Sequence, residues 1–220
     1  MAGRRKYDQG CAVAHALDLV GERWALLVVR DLLLGPKRFT DLLAGLPGAS
    51  PDVLTQRLRE LTEAGVLQRR RLSPPAASWV YELTPWGADL APVVVGLAQW
   101  ASRSPEMPYD APLGTDSLML SLNALFDRTA AADLHTTIAL RLGDELFHVR
   151  IADGELAVAR GEVANPDATL ETDQATLLSL LRTDRPLDEA LASGDLRLTG
   201  DRPVVERFRT LFPLPRLAAE

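Results

Sequence analysis

Thr55, Gln56 and Arg59 stand at spacings that put them together on the outer side of one helix, and their types match what the DNA major groove offers. Arg can donate a fork to guanine, Gln can pair bidentately with adenine, and Thr can present a hydroxyl or a methyl. A plain surface helix could carry the same three residues. Arg69, Arg70 and Arg71 follow as a run of like charge, which is commonly only a solvated face but beside a reading helix suits phosphate. Lys37 and Arg38, upstream, complete the basic set, and Ser50 and Pro51 open the helix that would carry the readers.

Other chemistry is sparse. Cys11 is the single cysteine, so an intramolecular disulfide and a multi-cysteine metal site are both excluded, while a dimer could still form one bridge. It precedes the helical run AVAHALDLV, where the dipole favours a thiolate, and Arg4, Arg5 and Lys6 are near in sequence. Redox sensing is one reading of it; a small buried hydrophobe in a dimer interface is the other. His15, His135 and His148 are scattered, and none neighbours a cysteine or a nucleophilic serine, so no triad is expected. Asp144-Glu145 and Asp188-Glu189 are sequence neighbours, which diverge on a strand or helix and so read as solvated. GDLRLTGD lacks the glycine and lysine spacing of a phosphate cradle. No catalytic residue, metal site or cofactor is therefore expected.

The elements that must position the basic groups are legible. Ser50 is a good N-cap, Pro51 suits the first helical position, and Asp52 complements the dipole. Leu54, Leu58 and Leu61 form the buried stripe, and Gly65 supplies a left-handed stop. Upstream, FTDLLAGLP predicts a short helix over Phe39 to Leu43, giving helix, tight turn, helix. Downstream, GVLQRRRL and SWVYELT predict two strands joined by SPPAA, a wing. A further helix from about Trp86 to Trp100 carries Leu90, Val93, Val94, Leu97 and Trp100, a stripe assigned with the first helix from Ala12 to a dimer interface.

These residues resemble HxlR-type winged-helix transcriptional regulators over roughly residues 7 to 103. The likeness is carried by Cys11, the GERW turn at Gly21 to Trp24, GPKRF at Gly35 to Phe39, the LTQRLREL helix and LTPWG at Leu83 to Gly87. It implies a homodimer on a pseudo-palindromic operator, with the helix from Ser50 in the major groove and the wing on the backbone. The matching cysteine senses oxidants or electrophiles in some members. Asp52, where members often carry Lys, and PPAAS, where they often carry an Arg, are departures.

SRSPEMPYDAPLG, with its prolines and no apolar period, reads as an interdomain linker. Three segments are thus expected: a winged helix-turn-helix domain over 1–103, a linker over 104–114, and a second domain over 115–220. The fold class is α+β. The second domain predicts a helix from about Ser117 to Ala131, then strands TTIALRL, LFHVRI, ELAVAR and DATLET as a meander turning at Gly143-Asp144 and Asp153-Gly154. Helices DQATLLSLL and PLDEALAS, a strand DLRLTG and a helix capped by Asp201 follow. The DGELAV hairpin, ATLETDQATLLSLL and SGDLRLTGD before VVERFRTLF resemble a sterol carrier protein-type domain over about Ser117 to Pro215. That resemblance implies a mixed sheet with helices over one face and an apolar cavity. Leu122, Phe126, Phe147, Val149, Leu177, Leu181, Phe208 and Phe212 are its candidate lining, although core packing explains them equally well.

The chain has 220 residues and a formal net charge of -6, unevenly divided. Residues 1–110 hold 13 Lys and Arg against 12 Asp and Glu, whereas residues 111–220 hold 11 against 18. Only the first half can approach DNA without repulsion, and its weak surplus predicts modest non-specific affinity. MAGRRKYDQG has no apolar h-region and no run of uncharged apolar residues is long enough to span a bilayer, so a cytoplasmic location without membrane is expected. The expected function is a dimeric DNA-binding regulator, acting as a repressor, modulated by an apolar ligand or by Cys11 oxidation. The alternatives are a hydrophobic-ligand carrier with a vestigial DNA domain, and an enzyme without residues to recommend it.

Overall fold

The computed structural model describes residues 6–74, 77–109, 111–182 and 184–218. The chain forms two compact units, Met1–Val94 and Val95–Glu220.

The first unit contains α1 (Ala12–Val20), α2 (Ala25–Leu32), α3 (Phe39–Gly45), α4 (Pro51–Glu63), β1 (Leu67–Arg71), β2 (Trp79–Leu83), α5 (Pro85–Ala88) and the start of α6 (Ala91–Ala101). Its core is Ala25, Val28, Val29 and Leu32 of α2, Leu42 of α3, and Leu54, Leu58 and Leu61 of α4. The i, i+3, i+4 spacing of those residues turns each helix's apolar side toward the others. Trp24, at the entry to α2, adopts a left-handed φ of 76°, unusual for a bulky residue.

Two punctuation marks explain the path after α4. Gly65 has φ +75°, the conformation a helix stop commonly takes, and the Val66 N–H donates back to the Leu61 carbonyl. The chain then enters β1, pairs antiparallel with β2, and meets Thr84, whose hydroxyl accepts from the Gly87 N–H and donates to the Gly65 carbonyl. A Cβ on Gly87 would stand 2.0 Å from the Val66 carbonyl oxygen. The TPWG turn is thereby closed onto the end of α4, and only glycine fits there.

The single helix expected from Trp86 is two: α5 ends at Ala88 and α6 begins at Ala91. Leu90 and Val94 pack on the first unit's core, while Val93, Leu97 and Trp100 are exposed.

The second unit contains the rest of α6, then α7 (Thr115–Leu125), β3 (Thr136–Leu142), β4 (Glu145–Ala152), β5 (Glu155–Arg160), β6 (Ala168–Thr172), α8 (Gln174–Leu181), α9 (Leu187–Ser193), β7 (Leu196–Gly200) and α10 (Arg202–Phe208). The sheet order is β5-β4-β3-β6-β7. The meander therefore holds only for β3, β4 and β5; β6 crosses back to pair parallel with β3, and β7 lies antiparallel on β6. The sheet is mixed. The helix expected to reach Ala131 stops at Leu125, because the Asp127 carboxylate accepts from the Thr129 and Ala130 N–H groups and makes a turn instead. Alternating residues Ile138, Leu140, Phe147, Val149, Ile151 and Leu170 bury one face of the sheet, against which α7 and α10 pack.

Candidate nucleic-acid interface

The positioning of α4 begins with its cap. Ser50 Oγ accepts the Val53 N–H at 3.3 Å, and Pro51 occupies the first turn, where a missing N–H leaves no bond unmade. With Leu54, Leu58 and Leu61 buried, Thr55, Gln56 and Arg59 are exposed on the outer face, as the sequence predicts. Each is held by its own helix. The Thr55 hydroxyl donates to the Pro51 carbonyl at 2.8 Å, leaving its methyl and an oxygen lone pair outward. Gln56 Nε2 donates to Glu60 at 2.9 Å, and Arg59 lies 3.8 Å from Glu63 with both side chains more than 60% exposed. Such exposed pairs are worth little and exchange readily for a base edge.

Arg57, on the same helix, is the residue that sequence reasoning missed. It is 8% exposed, pairs with Glu60 and lies 3.9 Å from Glu22. Its position beside Leu58 is the only signal of this, and charged residues there ordinarily face solvent.

The wing arginines are not equivalent. Register pairs Arg69 with Tyr81, Arg70 with Val80 and Arg71 with Trp79. Arg69 lies over the Trp79 ring at 4.6 Å and the Tyr81 ring at 5.9 Å, and Trp79 is itself exposed. Arg70 projects from the opposite face and forks onto Glu82, with Nε at 2.8 Å from one oxygen and an Nη at 2.7 Å from the other. The Arg70 hydrogen bond, assisted by Gln68, holds the Glu82 carboxyl below the usual range. Arg71 Nε donates to the Ala77 carbonyl. Of the hairpin tip, Pro75 and Ala76 lie outside the described residues.

Lys37 and Arg38 join this surface in a way the sequence does not announce. Lys37 pairs by backbone with Tyr81, its N–H donating at 3.0 Å and its carbonyl accepting at 2.8 Å. That isolated bridge ties the start of α3 to the outer side of β2. Arg38, exposed, donates from Nε to Ser78 Oγ at 3.1 Å, while Asp41 accepts its backbone N–H. The structure thus brings Lys37, Arg38, Arg69 and Arg71 together around one hairpin.

Cys11 is the exposed N-cap of α1. The open N–H groups of Ala14, first, and Val13 hold its thiol below the ordinary value. Arg4 and Arg5 lie outside the described residues, and Lys6 is exposed. Among the described residues there is no cluster of His, Cys, Asp or Glu fit for a metal ion, and no helix is long and apolar enough to cross a membrane.

The ligand candidates of the second unit separate into two groups. Leu122, Leu181 and Phe212 line a cavity of about 190 Å³. Phe147, Val149, Leu177 and Phe208 do not; each is 1% exposed or less and belongs to the core over the sheet. Phe126 stands beside the cavity, its ring 6.1 Å from that of Phe212, which in turn meets Phe208 edge-on at 5.0 Å.

A three-helix turn assembly with an apolar α2–α3–α4 core, followed by a two-stranded hairpin and a backbone bridge, is a winged helix-turn-helix unit. Residues 19–107 match the family described as HxlR-like helix-turn-helix. The chain is 38% identical over 88 residues to the HTH-type transcriptional regulator YvaP of Bacillus subtilis, covering 40% of this chain and 82% of that protein. The chain therefore belongs to the HxlR-like helix-turn-helix family. An HTH-type transcriptional regulator of Mycobacterium tuberculosis is also 38% identical, over 105 residues and 48% of this chain; the match spans 66% of that relative's length. The solved structure of the redox regulator HypR in its oxidized form is similar with a TM-score of 0.41 and 28% identity, over 44% of this chain and all of that one. Residues 111–217 match a different family, the alkyl sulfatase C-terminal domain. That is the family found where the sequence led us to expect a sterol carrier protein-type domain.

Proposed function

We propose that the protein is a transcriptional regulator that binds a pseudo-palindromic operator as a homodimer and represses by occluding the promoter. The observation that carries this reading is the outer face of α4, where Thr55, Gln56 and Arg59 are exposed beside the basic hairpin. In it, α4 enters the major groove, and Lys37, Arg38, Arg69 and Arg71 meet phosphate. The relatives matched by the first half bear the description of uncharacterized HTH-type transcriptional regulators, which favours it over a carrier or an enzyme. The dimer face is assigned to α1 and α6, whose Val13, Leu17, Val93, Leu97 and Trp100 are apolar and exposed.

Two inputs are proposed. Oxidation of Cys11 is one, supported by an exposed thiol with a depressed proton affinity at a helix start. The other is an apolar ligand in the second unit, used in the manner of a sterol carrier protein-type domain. To regulate, a ligand must favour either the DNA-competent or the incompetent state.

The test is binding to the DNA upstream of the protein's own gene against excess random competitor, at fixed salt, with and without reductant. We expect competitor-resistant binding that oxidant alters in the wild type and leaves unchanged in Cys11→Ser. Binding no stronger than to random DNA overturns the regulator reading.

A further inference from the structure

The first unit carries a pocket that neither the reading helix nor the hairpin uses. Val20 and Val66, both buried, form its floor, and Leu19 of α1 and Leu90 form its sides. Trp86 and Asp89 complete the lining. The pocket has a volume of about 180 Å³, and all of its lining residues belong to the first unit.

Two of these side chains have chemistry left over. Trp86 is 53% exposed, although tryptophan ordinarily buries most of its surface. Trp24 and Trp79 each lie against an arginine, Arg23 and Arg69, whereas among the described residues no cation or ring covers the Trp86 indole. The Asp89 carboxylate, also exposed, accepts no hydrogen bond and pairs with no cation among the described residues. The two stand three residues apart at the end of α5, a spacing that puts them on one side of a helical turn.

An indole face attracts a cation through its ring quadrupole, and a carboxylate attracts one through its charge. Both groups therefore ask for the same partner. An anion would be repelled by Asp89, and a neutral hydrocarbon would use the floor while leaving the carboxylate without a counter-charge. The volume sets the size of the guest. A cavity of roughly 150 Å³ takes benzene, so about 180 Å³ holds one ring with a one-carbon arm.

We infer that this pocket binds a compact ammonium ion with an apolar body, of the size of a one-ring arylalkylamine. The body rests on Val20, Val66 and Leu90, and the charged nitrogen lies between the Trp86 face and Asp89. The site goes beyond the regulator reading and does not depend on it. Its place does give occupancy a route to the reading helix: Val66 follows the Gly65 stop of α4, and Thr84, two residues before Trp86, donates to the Gly65 carbonyl.

The test titrates the full chain, without DNA and at one salt concentration, by calorimetry. Benzylamine, benzyl alcohol and benzoate share a ring and a one-carbon arm and differ in charge. We expect benzylamine to bind about tenfold more tightly than benzyl alcohol, roughly the sum of a cation–π contact and an exposed ion pair, with benzoate the weakest. Asp89→Asn and Trp86→Leu, both at exposed positions, should each shrink the benzylamine advantage about threefold with an unchanged melting temperature. Equal binding of all three compounds, an advantage that survives both substitutions, or no binding at all overturns the site. None of those results touches the regulator reading, which fails only on the operator titration.

Discussion

At the residue scale, the three consecutive arginines of the wing divide by what lies across the hairpin. Arg70 and Glu82 form a two-point ion pair, so together they present no net charge to phosphate. Arg69 and Arg71 lie on the other face, with Arg69 stacked on Trp79 and poised as a flat cation. On the regulator reading, Arg69→Ala and Arg71→Ala should each reduce the slope of log affinity against log salt by about one, whereas Arg70→Ala should leave it nearly unchanged. Equal effects at all three positions, read by titration at several salt concentrations, would contradict this division. The sequence offers only a run of like charge here. The distinction depends on register, which pairs Gln68 with Glu82 and places Arg70 diagonally beside it.

At the scale of elements, local signals that act through adjacent residues were readable. The Ser50 cap, the Pro51 start, the Leu54, Leu58 and Leu61 stripe and the Gly65 stop all stand as the sequence indicates. What escaped was decided by distant partners. The Lys37–Tyr81 bridge is a single pair of residues and leaves no period-2 pattern. The parallel return of β6 onto β3 looks, in sequence, the same as another meander strand. Alternation identified Phe147 and Val149 as inward but could not say that their side of the sheet is filled by packing rather than open.

The return of β6 carries its own prediction. Asp167, at its start, accepts from the Thr137 N–H at 2.7 Å and the Thr136 hydroxyl at 2.9 Å, pinning the parallel pair. The Thr137 bond, first, and then that of Thr136 hold the Asp167 carboxyl below its usual range. The folded value lies below the unfolded one. Ionised Asp167 therefore stabilises the fold fully above about pH 4, and that contribution is lost as acid protonates it in the folded state. We expect the urea midpoint of the wild type to fall more steeply than that of Asp167→Asn between roughly pH 5 and pH 2. Parallel curves would show that this carboxylate does not hold the strand.

At the scale of the whole molecule, charge and fold divide the work alike. The half that carries the winged helix is nearly neutral, and the sheet-containing half is acidic, with 18 Asp and Glu against 11 Lys and Arg. Bulk electrostatics alone would bring little DNA to such a protein, so on the regulator reading occupancy would come from base contacts and from two reading helices acting together. Coupling of an apolar ligand to DNA has to be measured as a change in DNA affinity.

That dependence on base contacts is open to a single comparison: wild type and Arg59→Ala, titrated against the operator and against random DNA at the same salt. The exposed position of Arg59, in a loose pair with Glu63, leads us to expect a loss of about 1–3 kcal/mol on the operator, little change on random DNA, and an unaltered melting temperature. Operator affinity undiminished by the substitution would mean that α4 does not read DNA in this protein.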